Sequence, residues 1–490
     1  ELAQLREEGG QATEAMSAAV VTIEDIYREF GYGNNDIVAL RDFMAYTMRH
    51  ANARPVYLTL LGGGHCDYQN RMTSSPDWLP VYEIESMNYP LGFRAFVSEP
   101  PPDDCFFVTL NAQGDGPDLA VGRISARNPA DAETYVQKVQ HYEHGSDTGA
   151  WRSIATFLAD DHYDSDGVEA GNVDPLNHFQ DTQNEITHLQ DRVLVNKIYE
   201  ASYPTVIDKT GKHTKPAVNQ AILDAFNTGT VLFSFIGHGN PTVWAHEGVL
   251  NVPSSIDQMS NFDRLAFITS GTCDFSRYDD YTTFSGGEQF LMSPTGGAIG
   301  MLGTSRSVTS GEPLIQTFYQ VLFQQDSDRG TSTVGQALLA GKYSGVDAVD
   351  FYLLGDPAQR LLLPKLYVNF DSLNGSPLAS GPVTLAALSQ VRIAGSIHAG
   401  STNAAPDPSF NGTVIVTLYD SPTPVVATSV FPDAVPPNFT WTDKYTVEGP
   451  ILFRGTATVT NGQFSIRFII PRDVKLDSGS AKLSGYAYST

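Results

Sequence analysis

Two apolar runs constrain this chain more than any other feature. Val231-Leu232-Phe233-Ser234-Phe235-Ile236 and Leu265-Ala266-Phe267-Ile268-Thr269 carry almost no polar side chain. A run without polar alternation suits a strand covered on both faces, as in a parallel sheet between helices. Each run ends in a small polar loop: Gly237-His238-Gly239 after the first, Ser270-Gly271-Thr272-Cys273-Asp274 after the second. In open α/β sheets, ligands bind just beyond the carboxyl ends of strands. The spacing between His238 and Cys273 leaves room for one crossover connection. If the two strands are neighbours, the imidazole and the thiol are presented side by side.

The rest of residues 1–365 alternates in the same way. Further strands are expected at 18–23, 55–61, 105–110, 119–124, 153–159 and 298–302. Helices are expected over 23–30, over 37–51 with Asp36 as N-cap, and over 129–143, 193–200, 215–227, 314–324 and 334–342. The alternation argues for a doubly wound, mostly parallel α/β sheet in two subdomains, 1–145 and 146–365. From 366 the helical patterns stop. Short alternating runs such as GTVIVTLYD and GQFSIRFIIP, separated by Gly, Pro, Asn and Ser, predict an all-β, immunoglobulin-like sandwich over 366–490. The Pro-rich stretch 421–438 reads as a long loop within it and a possible contact element.

Composition narrows the function classes. The 490 residues hold 30 basic and 55 acidic side chains, a net charge of −25. That length implies two or three domains. That charge argues against nucleic acid or an anionic leaflet as the main partner. The three cysteines, Cys66, Cys105 and Cys273, are too few for a disulfide framework. No run approaches the apolar length of a transmembrane helix, and ELAQLREEGG lacks the pattern of a signal peptide. The chain reads as a mature product or a fragment of a longer exported protein.

A cysteine nucleophile needs a nearby base that later acts as acid, and an imidazole titrating near neutrality serves both steps. Cys273 and His238 fit those roles. The backbone N–H groups of Gly239 and Cys273 are candidate oxyanion donors, and Gly237 allows close backbone approach. Trp244, Glu247, Thr272 and Asp274 are candidates for the substrate cleft. The acidic segment Asp160–Gly167 follows a strand. Asp161 is a candidate for the acid that orients His238. Asp161, Asp164 and Asp166 are candidate ligands for a structural Ca²⁺, against the plain reading of a solvated loop. No cofactor is otherwise required. His65 and Cys66 are too few for a closed metal site and suit a turn. Cys105 reads as core, and Glu288 and Arg306 as a buried pair beside the site.

The order of apolar strand, His-Gly, apolar strand and Cys resembles the caspase–haemoglobinase fold of cysteine peptidases, and within it the gingipain family. Leu119–Ile124 is similar to that family's "GRI" segment, and Phe351–Pro357 to its "LLGDP" motif. The run Thr272–Asp280, with Gly287-Glu288 and Thr304-Ser305-Arg306, resembles the type IX secretion sortases, the PorU branch. The β-rich tail around Arg454–Thr456, Asn461–Phe464 and Ile470–Asp473 is similar to the same branch. One departure is Gly63, which stands where the family has Asp in a Gly-Asp-Gly loop; Asp67 matches. The resemblance implies Cys273 as nucleophile and His238 as base, with an acid from the preceding strand region orienting the imidazole. It implies removal of a C-terminal signal domain from secreted cargo and transfer of the new carboxyl end to an anionic lipopolysaccharide at the cell surface. Cargo, outer-membrane secretion components and lipopolysaccharide would be the partners. Two other readings stay open: a secreted gingipain-type endopeptidase, and a catalytically silent secretion scaffold that binds cargo.

Overall fold

The computed structural model describes residues 1–490 except 70, 85–99, 112–115, 166–172, 190–191, 309–311, 327–329, 344–349, 382, 401–403, 432–433, 435–436, 476–478 and 490. The chain forms two compact units. One comprises Glu1–Asp147, Ile154–Leu362 and Ser429–Trp441; the other comprises Thr148–Ser153, Leu363–Thr428 and Thr442–Thr490.

The first unit is built on one eight-stranded sheet. Its strands are β1 (Tyr57–Leu61), β2 (Ala120–Ile124), β3 (Ile154–Ala159), β4 (Leu194–Tyr199), β5 (Leu232–Ile236), β6 (Ala266–Gly271), β7 (Ala298–Thr304) and β8 (Phe351–Leu354). They lie in the order β1-β2-β8-β7-β6-β5-β3-β4, so strands from both sides of residue 145 share the sheet. The β7–β8 pair is antiparallel, and the other neighbours run parallel. Every residue of β5, β6 and β7 is buried, as their unbroken apolar character requires.

The helices start where short polar side chains cap them. Asp36 accepts the Val38 N–H at 2.9 Å ahead of Ile37–His50. Asn128 caps Pro129–His144, with proline in the first turn. Thr333 and Gln336 form a capping box for Val334–Gly341.

Three local expectations fail for identifiable reasons. Residues 193–200 were expected to be a helix, but Leu194–Tyr199 is edge strand β4, paired in parallel along β3; long-range pairing overrides a weak helical pattern. Residues 105–110 were expected to be a strand. Asp104–Val108 is instead a 3-10 helix, nucleated by Asp103, whose side chain accepts the Cys105 N–H at 2.9 Å. Residues 18–22 form no strand; Thr22 instead caps the helix Ile23–Phe30, accepting the Asp25 N–H.

The "GRI" and "LLGDP" segments are structural staples. Arg123 is fully buried and pairs with Asp104 at 2.6 Å. Asp356 accepts Arg6 Nε at 2.7 Å, and the same guanidinium reaches Glu143 at 3.0 Å.

The second unit contains two antiparallel sheets. One runs β9 (Leu366–Leu373), β10 (Gln390–Ala399) and β15 (Gln463–Ile469), with Ser376–Pro377 at its edge. The other runs β14 (Ile451–Val459), β11 (Gly412–Tyr419) and β16 (Lys482–Tyr488). Val391, Ile393, Val414, Val416, Phe464 and Ile466 share one apolar core between the sheets. The stretch 421–438, expected to be a loop, contains strand β12 (Thr423–Phe431), which pairs with β13 (Phe439–Val447) as a two-stranded ribbon. Pro424 is tolerated because each strand of such a ribbon has an unpaired edge.

Candidate active site

Strands β5 and β6 are parallel neighbours, and Ile236 at the end of one pairs with Gly271 at the end of the other. His238 and Cys273 are therefore each two residues beyond one register pair. The backbone continues the contact: Gly237 N–H donates to Gly271 O at 3.3 Å. A Cβ added at Gly239 would strike Thr272 Oγ1, and one at Gly237 would strike Asp160. The two loops pack at glycine-only separation.

His238 is fixed from two sides. Its N–H donates to Asp160 Oδ2 at 2.8 Å, with Asp160 directly after β3. Its ring Nε2 lies 3.1 Å from Asp174 Oδ2. Asp174 is 1% exposed at its side chain, and its oxygen also lies 3.1 Å from His178 Nε2. With Nε2 at the acid, Nδ1 is the ring nitrogen on the other side of the imidazole. The His178 ring meets the His238 ring edge-on, with centroids 5.2 Å apart, and His246 lies on another side at 4.5 Å.

Burial alone would lower the imidazole pKa. The Asp174 hydrogen bond and the charges of Asp160, Asp174 and Asp164 outweigh it and raise His238 to about 8. Burial works against the Asp174 carboxylate, but the two imidazoles and the Leu176 N–H hold it below the usual carboxylate range. Burial pushes the Cys273 thiol up. Cys273 Sγ lies 3.6 Å from Val308 O. Asp274, the next residue, has φ of 59°, in the left-handed region that few non-glycine residues adopt.

The orienting acid is not Asp161. That carboxylate pairs with Lys215 Nζ at 2.8 Å, both side chains being buried. Asp174 was not among the sequence candidates. It is carried to His238 by loop structure: Tyr163 bridges Val173, and Asp174 N–H donates to His162 O at 2.9 Å. Its local sequence signal is a turn, Asp174-Pro175, with Asp174 Oδ1 accepting the Leu176 N–H. The ring of Trp441, within the same compact unit, stacks on His162 at 4.2 Å.

Other candidates are also redistributed. Asp164 sits 3.4 Å from His246 Nε2, away from the Lys215 pair of Asp161, and Asp166 lies outside the described residues. The expected Asp161/Asp164/Asp166 calcium group therefore does not assemble among the described residues. Trp244 is fully buried against Phe233, Phe235 and Phe275, so it belongs to the core beneath the hairpin and not to a cleft wall. Glu247 is buried, so it does not line an open cleft. Glu288 pairs with Arg127 and Arg306 with Asp279, so the expected Glu288–Arg306 pair does not form. The Cys66 N–H donates to Asp279 O, tying the Gly62–Asp67 turn to the loop after β6.

Comparison with known proteins bears on the family and the fold. The model of Peptidase family C25 matches residues 1–362. Gingipain R2 and gingipain R1 of Porphyromonas gingivalis are 28% identical over 160 residues, 32% of this chain. That stretch spans only 19% and 14% of those relatives' lengths. The crystal structure of the Arg-specific cysteine proteinase gingipain R (RgpB) aligns over 99% of this chain and 91% of its own, at 16% identity and a TM-score of 0.55. The complex of P. gingivalis RgpB pro- and mature domains aligns over 99% and 93%, at 17% identity and a TM-score of 0.51. At such identities these two likenesses establish the fold. The chain belongs to Peptidase family C25, the gingipain family of cysteine peptidases.

Proposed function

We propose that this peptidase acts as a sortase-like transpeptidase on exported cargo, cutting off a C-terminal signal domain and passing the new carboxyl end to an anionic lipopolysaccharide at the cell surface. The observation that carries the reading is the alignment of His238 and Cys273 beyond the Ile236–Gly271 register pair. The choice of cargo and acceptor rests on the sequence motif Thr272–Asp280 and its partners in the chain.

In this reading His238 Nδ1 takes the Cys273 proton as Sγ attacks the scissile carbonyl. The N–H groups of Gly239 and Cys273 receive the oxyanion. The leaving amine takes its proton from the imidazolium, which Asp174 stabilises and orients. A thioester then joins Cys273 to the cargo. Water resolves it to a free carboxylate; an amine resolves it to an amide, with His238 removing the proton from either nucleophile. The sortase differs from a hydrolase only in which nucleophile reaches that thioester. Outer-membrane secretion components would deliver the cargo, and the β-sandwich would dock it.

Mass spectrometry of a cargo protein's new C-terminus, from cells with the wild-type chain or with Cys273→Ala, tests the proposal. A carboxyl end carrying the mass of a saccharide-linked amine, lost in Cys273→Ala, is expected. A free carboxylate at every processed end points to the endopeptidase reading. Unchanged processing in Cys273→Ala leaves only the scaffold.

A further inference from the structure

Three buried acids meet near the His238 loop, one of which, Asp160, also accepts the His238 N–H. Asp160, Glu200 and Glu247 each offer a carboxylate oxygen, and these atoms all lie within 4.8 Å of one another. The residues are 2%, 0% and 2% exposed. They come from three separate places. Asp160 follows β3, Glu200 follows β4, and Glu247 lies in the turn after the hairpin that begins at Gly239. Among the described residues, neither oxygen of Glu200 and neither oxygen of Glu247 has a hydrogen-bond partner. Buried carboxylates are normally paired, hydrogen-bonded or bound to a metal. Asp160 alone is engaged, by the N–H groups of His238 and Asp161.

The neighbouring cation does not close the group. Lys215 Nζ is 2.8 Å from Asp161 and donates to the Glu200 carbonyl at 2.6 Å. Its single charge is already matched by Asp161. Three buried carboxylates this close repel one another, and a multivalent cation relieves that repulsion.

We infer that Asp160, Glu200 and Glu247 form a binding site for a hard divalent cation of the calcium type. Three carboxylates and no nitrogen or sulfur donor suit Ca²⁺, which takes oxygen ligands at roughly 2.3–2.6 Å and accepts irregular, bidentate geometry. Two such bonds on opposite sides of an ion span about the distance within which these oxygens lie. Mg²⁺ fits less well, because it demands a small octahedron and keeps its water. None of its three ligands belongs to the Asp161, Asp164 and Asp166 group expected from the sequence. The ion would tie the ends of β3 and β4 to the loop carrying His238, through the same Asp160 that accepts the His238 N–H. The binding claim stands apart from the catalytic reading, since it concerns only whether an ion occupies the group.

The test uses the full chain, stripped with EDTA. Thermal melting is followed with added Ca²⁺ and, in parallel, Mg²⁺, for wild type, Glu200→Gln and Glu247→Gln. A Ca²⁺-dependent rise in Tm in wild type, larger than that given by Mg²⁺ and lost in both variants, is the expected result. No rise in Tm with either ion would overturn the proposal. A rise kept by both variants would place the ion elsewhere and overturn it equally. Should a variant fail to fold, an anomalous-difference map of wild-type crystals grown with Mn²⁺ decides. A peak among the three carboxylates upholds the site, and featureless density there removes it.

Discussion

Asp174 Oδ2 sits 3.1 Å from His238 Nε2, across 64 residues of chain, and this contact separates the orienting acid from its neighbours in the acidic loop. Asp174→Asn removes the hydrogen bond and charge that raise His238 to about 8. Because the acid favours the imidazolium, its loss lowers the His238 pKa. The ascending limb of the pH profile of kcat/KM is expected to move to lower pH. Its plateau should fall roughly 10²- to 10⁴-fold, as for loss of a triad acid. A limb that stays in place would mean that another group sets it.

Asp161→Asn should behave differently. Asp161 holds Lys215 inside the fold at 2.8 Å. Removing one member of a buried pair costs about 3–5 kcal/mol, because the remaining charge is uncompensated. A large loss in Tm or denaturant midpoint is expected, with the pH limb of the surviving activity unmoved.

The thiol itself should titrate with its base. Burial raises Cys273, and neutral His238 becomes available only as pH passes about 8. The alkylation rate of Cys273 by iodoacetamide, followed by peptide mapping to separate it from Cys66 and Cys105, should climb across that region. A rate already flat from pH 5 to 8 would indicate a preformed thiolate–imidazolium pair.

Gly239→Ala tests the close approach of the two loops. The added Cβ would strike Thr272 Oγ1, so the His238 loop must shift. A displacement of this kind should cost roughly 10- to 100-fold in kcat/KM. Thr272 Oγ1 has no hydrogen-bond partner among the described residues, so adding Thr272→Ala should recover part of the rate. A double variant no better than the single one would count against this steric account.

What was legible in the sequence follows physical range. Val231–Ile236 and Leu265–Thr269 announce buried parallel strands by themselves, and the residues just beyond them fall at the strand ends by simple continuation. Asp174 was not legible, because contacts distant in sequence, the Tyr163–Val173 bridge and the Asp174–His162 backbone bond, carry it to the site. Asp161, nearer to a strand end, looked the better acid, and nothing local shows that Lys215 claims it. Leu194–Tyr199 was misread as helix because its strand character comes from its partner β3. The carboxylate group near the His238 loop was invisible for the same reason: its members are separated in sequence and meet only where β3, β4 and the hairpin converge.

The central claim is that Cys273 is the nucleophile and that His238 activates it. The most direct measurement is covalent labelling of the full chain by a peptidyl acyloxymethyl ketone, with the modified residue located by tandem mass spectrometry. The account predicts one adduct, on Cys273, absent in Cys273→Ala and slowed roughly 10²-fold or more in His238→Ala. An adduct on Cys66 or Cys105 that persists in Cys273→Ala, or labelling of Cys273 at an unchanged rate in His238→Ala, would contradict it.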